Sequence, residues 1–291
     1  MPTAELSSPS LNPSARKFTR RASIVALGAG VTSAAWAFGI EPNALSITEK
    51  SLTIKDWPST LDNFSIAHLT DLHFRPGADE EVTEKLISAV NKARVDLILI
   101  TGDFVIADSS SLPECARYLK KLTAKHGLIA SPGNHDRWHC APSEIRHHLR
   151  KAGIDYLQND GATISVKGEQ FYLAGLDSIW GGDLDSARAW RGHRKGDAVI
   201  TLMHEPDPFD HLISTRPVSL QLSGHTHGGQ CCVPLIGYAP ARVKFGRNYL
   251  YGHYEKNGSQ LWVGRGVGTV GFRARFACRP ELTFLTLRAS S

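Results

Sequence analysis

Five stretches of the chain carry side chains that bind metal ions or move protons: Asp71-Leu72-His73, Gly102-Asp103, Gly133-Asn134-His135-Asp136, His204 and Gly224-His225-Thr226-His227. Carboxylates, imidazoles and a carboxamide gathered in one place offer hard oxygen and borderline nitrogen donors together. That mixture suits a pair of divalent cations of the Mn, Fe, Zn or Co kind. The i,i+2 spacing of Asp71 with His73 and of His225 with His227 predicts that each pair faces one side of an extended segment. Gly102, Gly133 and Gly224 fall where the chain has to turn and come close to its neighbours. Singly, each of these elements is more often structural than chemical. The signal is their conjunction.

The elements that must carry them are short strands. Each stretch follows or ends an apolar run, at residues 64–69, 96–101, 127–131, 198–204 and 218–223, and such runs read as buried strands. Further runs at 170–176, 261–263 and 282–287 complete the pattern, and the run at 170–176 is unlike its neighbours in ending without ligands. Between the first two runs, Val82, Leu86, Ile87 and Val90 recur at helical spacing behind the acidic turn Asp79-Glu80-Glu81, as in an amphipathic helix with a favourable terminal charge. Helices are also predicted at 112–125 and at 143–152, the second closed by Gly153. The alternation predicts one α/β domain from about residue 50 to the end.

Taken in order, the five stretches resemble the calcineurin-like metallophosphoesterases, and the resemblance covers essentially all of residues 50–288. It implies an α/β fold, a four-layer α-β-β-α sandwich with a binuclear metal site at the strand ends. Carried over residue by residue, it implies that Asp71, His73 and His227 hold one divalent ion (Mn, Zn or Fe), that Asn134, His204 and His225 hold the other, and that Asp103 bridges them. His135 then matches the general acid and Asp136 its orienting partner. The implied reaction is hydrolysis of a phosphodiester or pyrophosphate bond by a metal-bridging hydroxide, because two ions about 3.5–4 Å apart acidify a shared water and clamp the phosphoryl oxygens. The nucleophile is then water, in keeping with the lack of a GxSxG elbow in the sequence.

Residues 1–37 read as an address. Arg16-Lys17-Phe18-Thr19-Arg20-Arg21 precedes a charge-free stretch to Ile40, and Thr19-Arg20-Arg21 resembles the twin-arginine pattern, so the twin-arginine export machinery is an expected partner. Ala35-Trp36-Ala37 offers a cleavage site, with an uncleaved membrane anchor as the alternative. Residues 38–49 are expected as a linker and 50–291 as the metallophosphoesterase domain. The whole chain has 33 basic and 28 acidic residues, 13 histidines, 5 cysteines and a formal charge of +5. Four bases and one acid lie in residues 1–37, which leaves 29 against 27, or +2, for the remainder. That near-neutral body offers little tracking surface for nucleic acid. The cysteines show neither a CxxC motif nor a disulfide framework.

Gly266-Val267-Gly268-Thr269-Val270-Gly271 fits a dinucleotide fingerprint but lacks the following helix, strand and acidic residue. It is expected as a loop near the metal site that brings Arg273 or Arg275 towards a substrate anion or leaves them as surface charge. The apolar segment 231–238 is expected either to touch acyl chains or a bilayer or to fold over the core. His68, His126, His139, His147, His148, His193, His211 and His253 read as structural or solvated.

Ile40-Glu41-Pro42, Gly224-His225-Thr226-His227-Gly228-Gly229-Gln230, and Gly268 to Gly271 with Arg279-Pro280-Glu281 resemble more narrowly the exported or membrane-associated phosphodiesterases related to UDP-2,3-diacylglucosamine pyrophosphatase. This implies an envelope or lipid-linked substrate, a membrane surface as partner, and a periplasmic or cell-surface location. A broad-specificity periplasmic phosphodiesterase is the alternative, and an inactive binding scaffold of the same fold is a third reading.

Overall fold

The structure, a computed structural model, describes residues 30–235, 239 and 243–290. The Arg20-Arg21 pair and most of the expected signal lie outside the described residues. Twelve strands are described: β1 (Ser46–Ile54), β2 (Phe64–Leu69), β3 (Leu97–Ile100), β4 (Leu128–Ala130), β5 (Ile154–Tyr156), β6 (Asp160–Val166), β7 (Glu169–Gly175), β8 (Val199–Leu202), β9 (Leu220–Ser223), β10 (Gly252–Lys256), β11 (Ser259–Val263) and β12 (Glu281–Ala289). They form two six-stranded sheets, ordered β1-β12-β2-β3-β4-β5 and β10-β11-β9-β8-β7-β6. Both are mixed. β2 to β5 run parallel in the first, and β7, β8, β9 and β11 run parallel in the second.

Side-chain alternation along these strands builds the layers. Leu97 and Leu99 of β3 meet Leu173 of β7, Ile200 and Leu202 of β8 and Leu220 and Leu222 of β9 in the core between the sheets. Ile98 and Ile100 point the other way, against Val82, Leu86 and Val90 of the helix Glu80–Ala93 and Leu112, Leu119 and Leu149 of the helices Leu112–Leu119 and Pro142–Lys151. On the far face, Tyr172, Ala174, Val199 and Met203 pack against Phe209 and Leu212 of the helix Phe209–Thr215. The central strands are buried on both faces, which is why their sequences read as continuous apolar runs. The result is the four-layer α/β sandwich.

The strands that leave no apolar run in the sequence are β1, β5, β6 and β10, and these are the four sheet edges. Edge strands carry polar and charged residues because one side has no neighbour to bury it. β10, with the sequence GHYEK, has no fully buried residue. The helix predicted over 112–125 ends at Leu119. The chain turns there, with Lys121 N donating to Tyr118 O, so that Lys125 and His126 reach the carbonyls of Val95 and Asp96 and feed β4.

The expected linker is part of the fold. β1 begins at Ser46 and pairs in parallel with β12, from Ser46 opposite Glu281 to Ile54 opposite Ala289. Ahead of it, the buried Glu41 carboxylate accepts Cys278 N at 2.7 Å, Ala277 N at 3.1 Å and Trp36 Nε1 at 2.7 Å. Arg275 N donates to the Ala37 carbonyl at 3.0 Å. A carboxylate that meets three donors fixes residues 36–43 against the body. Among the described residues no helix is long and apolar enough to cross a membrane.

Candidate metal centre

The carboxyl ends of β2, β3 and β4 in one sheet and of β8 and β9 in the other open on the same cavity, and all five strands are parallel members of their sheets. This is where open α/β sheets present ligands. Asp71 and His73 follow β2, Asp103 follows β3, Asn134 and His135 follow β4, His204 follows β8, and His225 and His227 follow β9. The structure thus brings all the expected residues together. Asp71, His73, Asp103, Asn134, Asp136, His204, His225 and His227 are all buried, with His135 half-buried at the rim.

The local backbone differs from the extended segments predicted from the i,i+2 spacing. Asp71, His73, Asp103, His225 and His227 have φ of 51°, 39°, 57°, 72° and 51°. Left-handed conformations are uncommon for residues other than glycine and persist where surrounding contacts hold them, often at functional sites. The paired side chains converge because the chain curls around the site after each strand, not because of strand periodicity. Gly224 shows how close the packing is: a Cβ there would sit 1.9 Å from Thr70 Oγ1 and 2.2 Å from Asp71 Oδ2.

Backbone carbonyls set the tautomers. His73 Nδ1 donates to Val105 O at 2.8 Å, His135 Nδ1 to Ile106 O at 2.6 Å, His204 Nδ1 to Thr101 O, and His225 Nε2 to Lys244 O at 2.7 Å. In each neutral ring the other nitrogen keeps a lone pair. Orienting hydrogen bonds of this kind support metal-ligating histidines. The free nitrogens of His73 and His204 meet a carboxylate, Asp103 Oδ2, at 3.3 and 3.1 Å, and His227 Nε2 lies 3.3 Å from Asp71 Oδ1. His73 Nε2 and His227 Nε2 are themselves 3.2 Å apart.

Charge in this cluster is strongly perturbed. Burial raises the pKa of Asp103, but His204 and then His73 outweigh it and hold the carboxyl well below its usual range. Burial likewise opposes a charge on His204 and His73, yet Asp103 and Asp71 raise both. Burial, reinforced by His204, pushes His225 down to about 4, while burial with His73 and Arg275 lowers His227 strongly. Burial also lowers His135, against the pull of Asp103.

Three groups of donors stand close enough to hold an ion: Asp71 with His73 and His227, Asp71 with Asp103 and His204, and His73 with Asp103 and His135. Among the described residues, Asn134 Oδ1 and His204 Nε2 are buried polar atoms of the cluster without a partner in hydrogen-bond geometry. Buried polar atoms left unpaired are costly, and a cation satisfies such lone pairs. The donor set therefore fits divalent metal.

Asp136 requires a correction. Its carboxylate accepts Asp103 N at 2.7 Å, Gly133 N at 2.9 Å and Phe104 N at 2.8 Å, while the carbonyl of Ile106 orients the His135 ring. Asp136 thus ties the turn after β3 to the turn after β4 instead of holding the imidazole. Burial and the nearby Asp103 push it up to about 7, against the backbone amides of Gly133 and Phe104.

Both arginine expectations are also corrected. Arg275 is fully buried, and its guanidinium donates to the carbonyls of Arg265 at 2.9 Å, Gly266 at 2.9 Å, Gly268 at 2.6 Å and Cys278 at 3.1 Å. Arg273 Nε pairs with Asp79 at 2.8 Å, and its Nη2 donates to Ala78 O at 2.7 Å. Arg275 clamps the glycine loop, whose Gly268 N donates to Asp71 O at 2.7 Å, while Arg273 ties the chain after that loop to the start of the helix Glu80–Ala93. In the segment after His227, Cys232 is buried while Val233 and Leu235 are exposed, so it divides between core and surface; residues 236–238 lie outside the described residues.

Two residues of the cavity wall had no motif to mark them. Trp138 lies in the short helix Asn134–His139, with its ring centroid 5.0 Å from that of His135. Trp180 follows β7, the strand whose end carries no ligand, and stands 5.6 Å from the ring of His225. The available hint was that a run ending without ligands still had to end at the same edge.

A family model described as calcineurin-like phosphoesterase matches residues 64–229. The chain is 31% identical to the uncharacterized metallophosphoesterase YkuE of Bacillus subtilis, over 91% of this chain and 95% of that protein. It is 32% identical to the phosphodiesterase YaeI of Escherichia coli K12, over 77% of this chain and 82% of that protein. A solved structure of the Thermus thermophilus sulfate thiohydrolase SoxB shares the fold, with a TM-score of 0.50, 12% identity, and coverage of 78% of this chain and 57% of that one. The chain belongs to the calcineurin-like metallophosphoesterases, hydrolases of phosphoester bonds.

Proposed function

We propose that this chain hydrolyses phosphodiester or pyrophosphate bonds with two divalent ions held in the cavity. The observation that carries the reading is the place of Asp103, whose Oδ2 lies 3.3 Å from His73 Nε2 of one sheet and 3.1 Å from His204 Nε2 of the other. A carboxylate between imidazoles from both sheets is the natural bridge between two ion sites. On this reading Asp71, His73 and His227 hold one ion, Asn134, His204 and His225 hold the other, and Asp103 serves both. When bound, the ions supply the acidity that makes water a nucleophile near neutral pH and the charge that holds the phosphoryl oxygens.

The protein's own contribution is position and a proton. Asp103 Oδ1 accepts His135 N at 2.9 Å, and the Ile106 carbonyl fixes the His135 ring through Nδ1, so Nε2 faces the cavity to give a proton to the leaving oxygen. A positioned acid contributes about 10²–10⁴ in rate. His135→Ala should therefore retain metal but slow esters of poor leaving groups far more than activated aryl esters. Equal losses would remove the acid role.

The substrate is proposed to belong to the cell envelope. Trp36, Phe38 and Ile40 of the N-terminal segment, Val233 and Leu235 of the segment after His227, and Phe272 after the glycine loop are exposed apolar side chains, and Trp36 and Pro234 line one cleft. Side chains of this kind suit a protein working at a lipid surface. The hydrogen bonds of Trp36 Nε1 to Glu41 and of Arg275 N to Ala37 O favour a segment that stays attached over one cut after Ala37. Metal analysis of the full chain, followed by an aryl monoester, an aryl diester and UDP-2,3-diacylglucosamine, tests the reading. Hydrolysis of the diester or the pyrophosphate is expected, and failure on all three with both ions bound would contradict it. Changing Arg20 and Arg21 to Lys should leave the protein in the cytoplasm; an unchanged distribution would count against twin-arginine export.

A further inference from the structure

The cavity over the metal site has a volume of 590 Å³, a size that takes a small-molecule ester more readily than a bare phosphate. One wall is the ligand cluster. Beside it the lining includes Trp138 and Trp180, whose ring centroids are 4.7 Å apart with planes at 82°. Trp138 stays 42% exposed, so it is not there to fill a core. Its ring lies against that of His135, and the His135 ring lies 4.7 Å from that of His73. A phosphoryl group bound at the ligand cluster with its leaving oxygen at His135 would carry its leaving group onto Trp138.

The backbone that carries both indoles is tied down. Trp180 N donates to Ser178 Oγ at 3.1 Å and to Glu205 Oε1 at 3.2 Å, and Ser178 Oγ itself bonds the buried Glu205, which neighbours His204 in the chain. Arg137 Nε, beside Trp138, pairs with Asp177 Oδ1 at 2.9 Å and ties the helix to the Trp180 loop. Gly181 closes the joint: a Cβ there would lie 3.0 Å from Trp138 Cδ1 and 2.8 Å from Asn134 O. Preorganised walls reduce the cost of binding.

We infer that Trp138 and Trp180 form a corner that binds a planar aromatic group on the leaving-group side, so the preferred substrates are aryl or heteroaryl phosphoesters. Two perpendicular indoles offer one ring a face to stack on and an edge to meet. A flexible chain gains contact area there but none of that directional attraction. Lys244 Nζ, 5.9 Å from the Trp180 ring and 4.7 Å from the Phe245 ring, keeps a cation at the edge of this wall, near the charge that a phosphoester brings.

The inference rests on the metal-site reading, and calorimetry on the metal-loaded full chain separates the two. Inorganic phosphate probes the ions; phenylphosphonate, cyclohexylphosphonate and octylphosphonate probe the corner at similar head-group charge. Phenylphosphonate should bind about fivefold more tightly than its cyclohexyl counterpart. Trp138→Leu and Trp180→Leu should each bring that ratio to within about twofold while phosphate affinity and metal content stay unchanged. Equal binding of the two ring phosphonates, a ratio that survives both substitutions, or tighter binding of octylphosphonate would overturn the corner while phosphate binding upholds the metal site. Failure of phosphate and all three phosphonates to bind would remove the metal-site reading and the corner with it.

Discussion

The Nε2 atoms of His73 and His227, which follow strands of different sheets, face each other at 3.2 Å, with Asp71 Oδ1 3.3 Å from the second. Because His73 Nδ1 donates to Val105 O, its neutral ring presents a lone pair to that space. Two imidazoles so placed are held together by a proton or a cation between them. A cation that binds the folded chain alone adds stability, about 2.7 kcal/mol when free metal stands at a hundred times its dissociation constant. Chelation should therefore lower the thermal midpoint by several degrees, and readdition of Mn or Zn should restore it. Calorimetry with and without chelator checks this, and an unchanged midpoint would count against the site.

Asp136 holds three backbone amides across two turns, so Asp136→Ala should behave as a structural lesion near the metals. Loss of its acceptors should cost about 2–3 kcal/mol and weaken metal affinity, while the ratio of rates on good and poor leaving groups stays as in the parent. Urea unfolding, metal titration and a leaving-group series measure all three. A selective loss on poor leaving groups would restore the direct orienting role that the geometry argues against.

Legibility followed burial. β2, β3, β4, β8 and β9 are covered on both faces and announced themselves as apolar runs, and the ligands sit where those runs stop. β1, β5, β6 and β10, the sheet edges, carried too few apolar residues to stand out. The ligand set was readable because carboxylates and imidazoles at strand ends are chemically conspicuous. The reason for its convergence was not, since positive φ at Asp71, His73, His225 and His227 is a tertiary result that no spacing encodes. The structural roles of Arg275 and Glu41 escaped for the same reason: they bind backbone groups that only the fold brings within reach. Trp138 and Trp180 belong to no motif.

Arg275 should be among the most sensitive positions outside the ligands. Arg275→Ala strands the carbonyls of Arg265, Gly266, Gly268 and Cys278 in the interior. The expected cost is about 3 kcal/mol or more. Because the clamped loop rests on Asp71 through Gly268 N, metal affinity should fall with it. Denaturant midpoints near those of the parent would show that the loop has other supports.

Asp96 gives a pH signature away from the site. Burial raises its pKa, but Lys125 Nζ at 2.8 Å and the Ser65 amide at 2.8 Å bring it below the usual 3.8. A carboxylate lowered by folding stabilises the protein above its unfolded pKa and loses that contribution as pH falls through the folded value. Asp96→Asn should cost about 1 kcal/mol near pH 7, and the gap to the parent should close below pH 3.8. Denaturant midpoints across that range test the sign; a gap constant with pH would contradict it.

The most direct test is metal content and diester turnover measured on one preparation of Asp103→Asn. Asp103 stands between the imidazoles of both sheets, so its loss should leave the protein folded, bring bound metal below that of the parent, and cut turnover by at least about a hundredfold. Parental metal content with parental turnover would contradict the account at its centre.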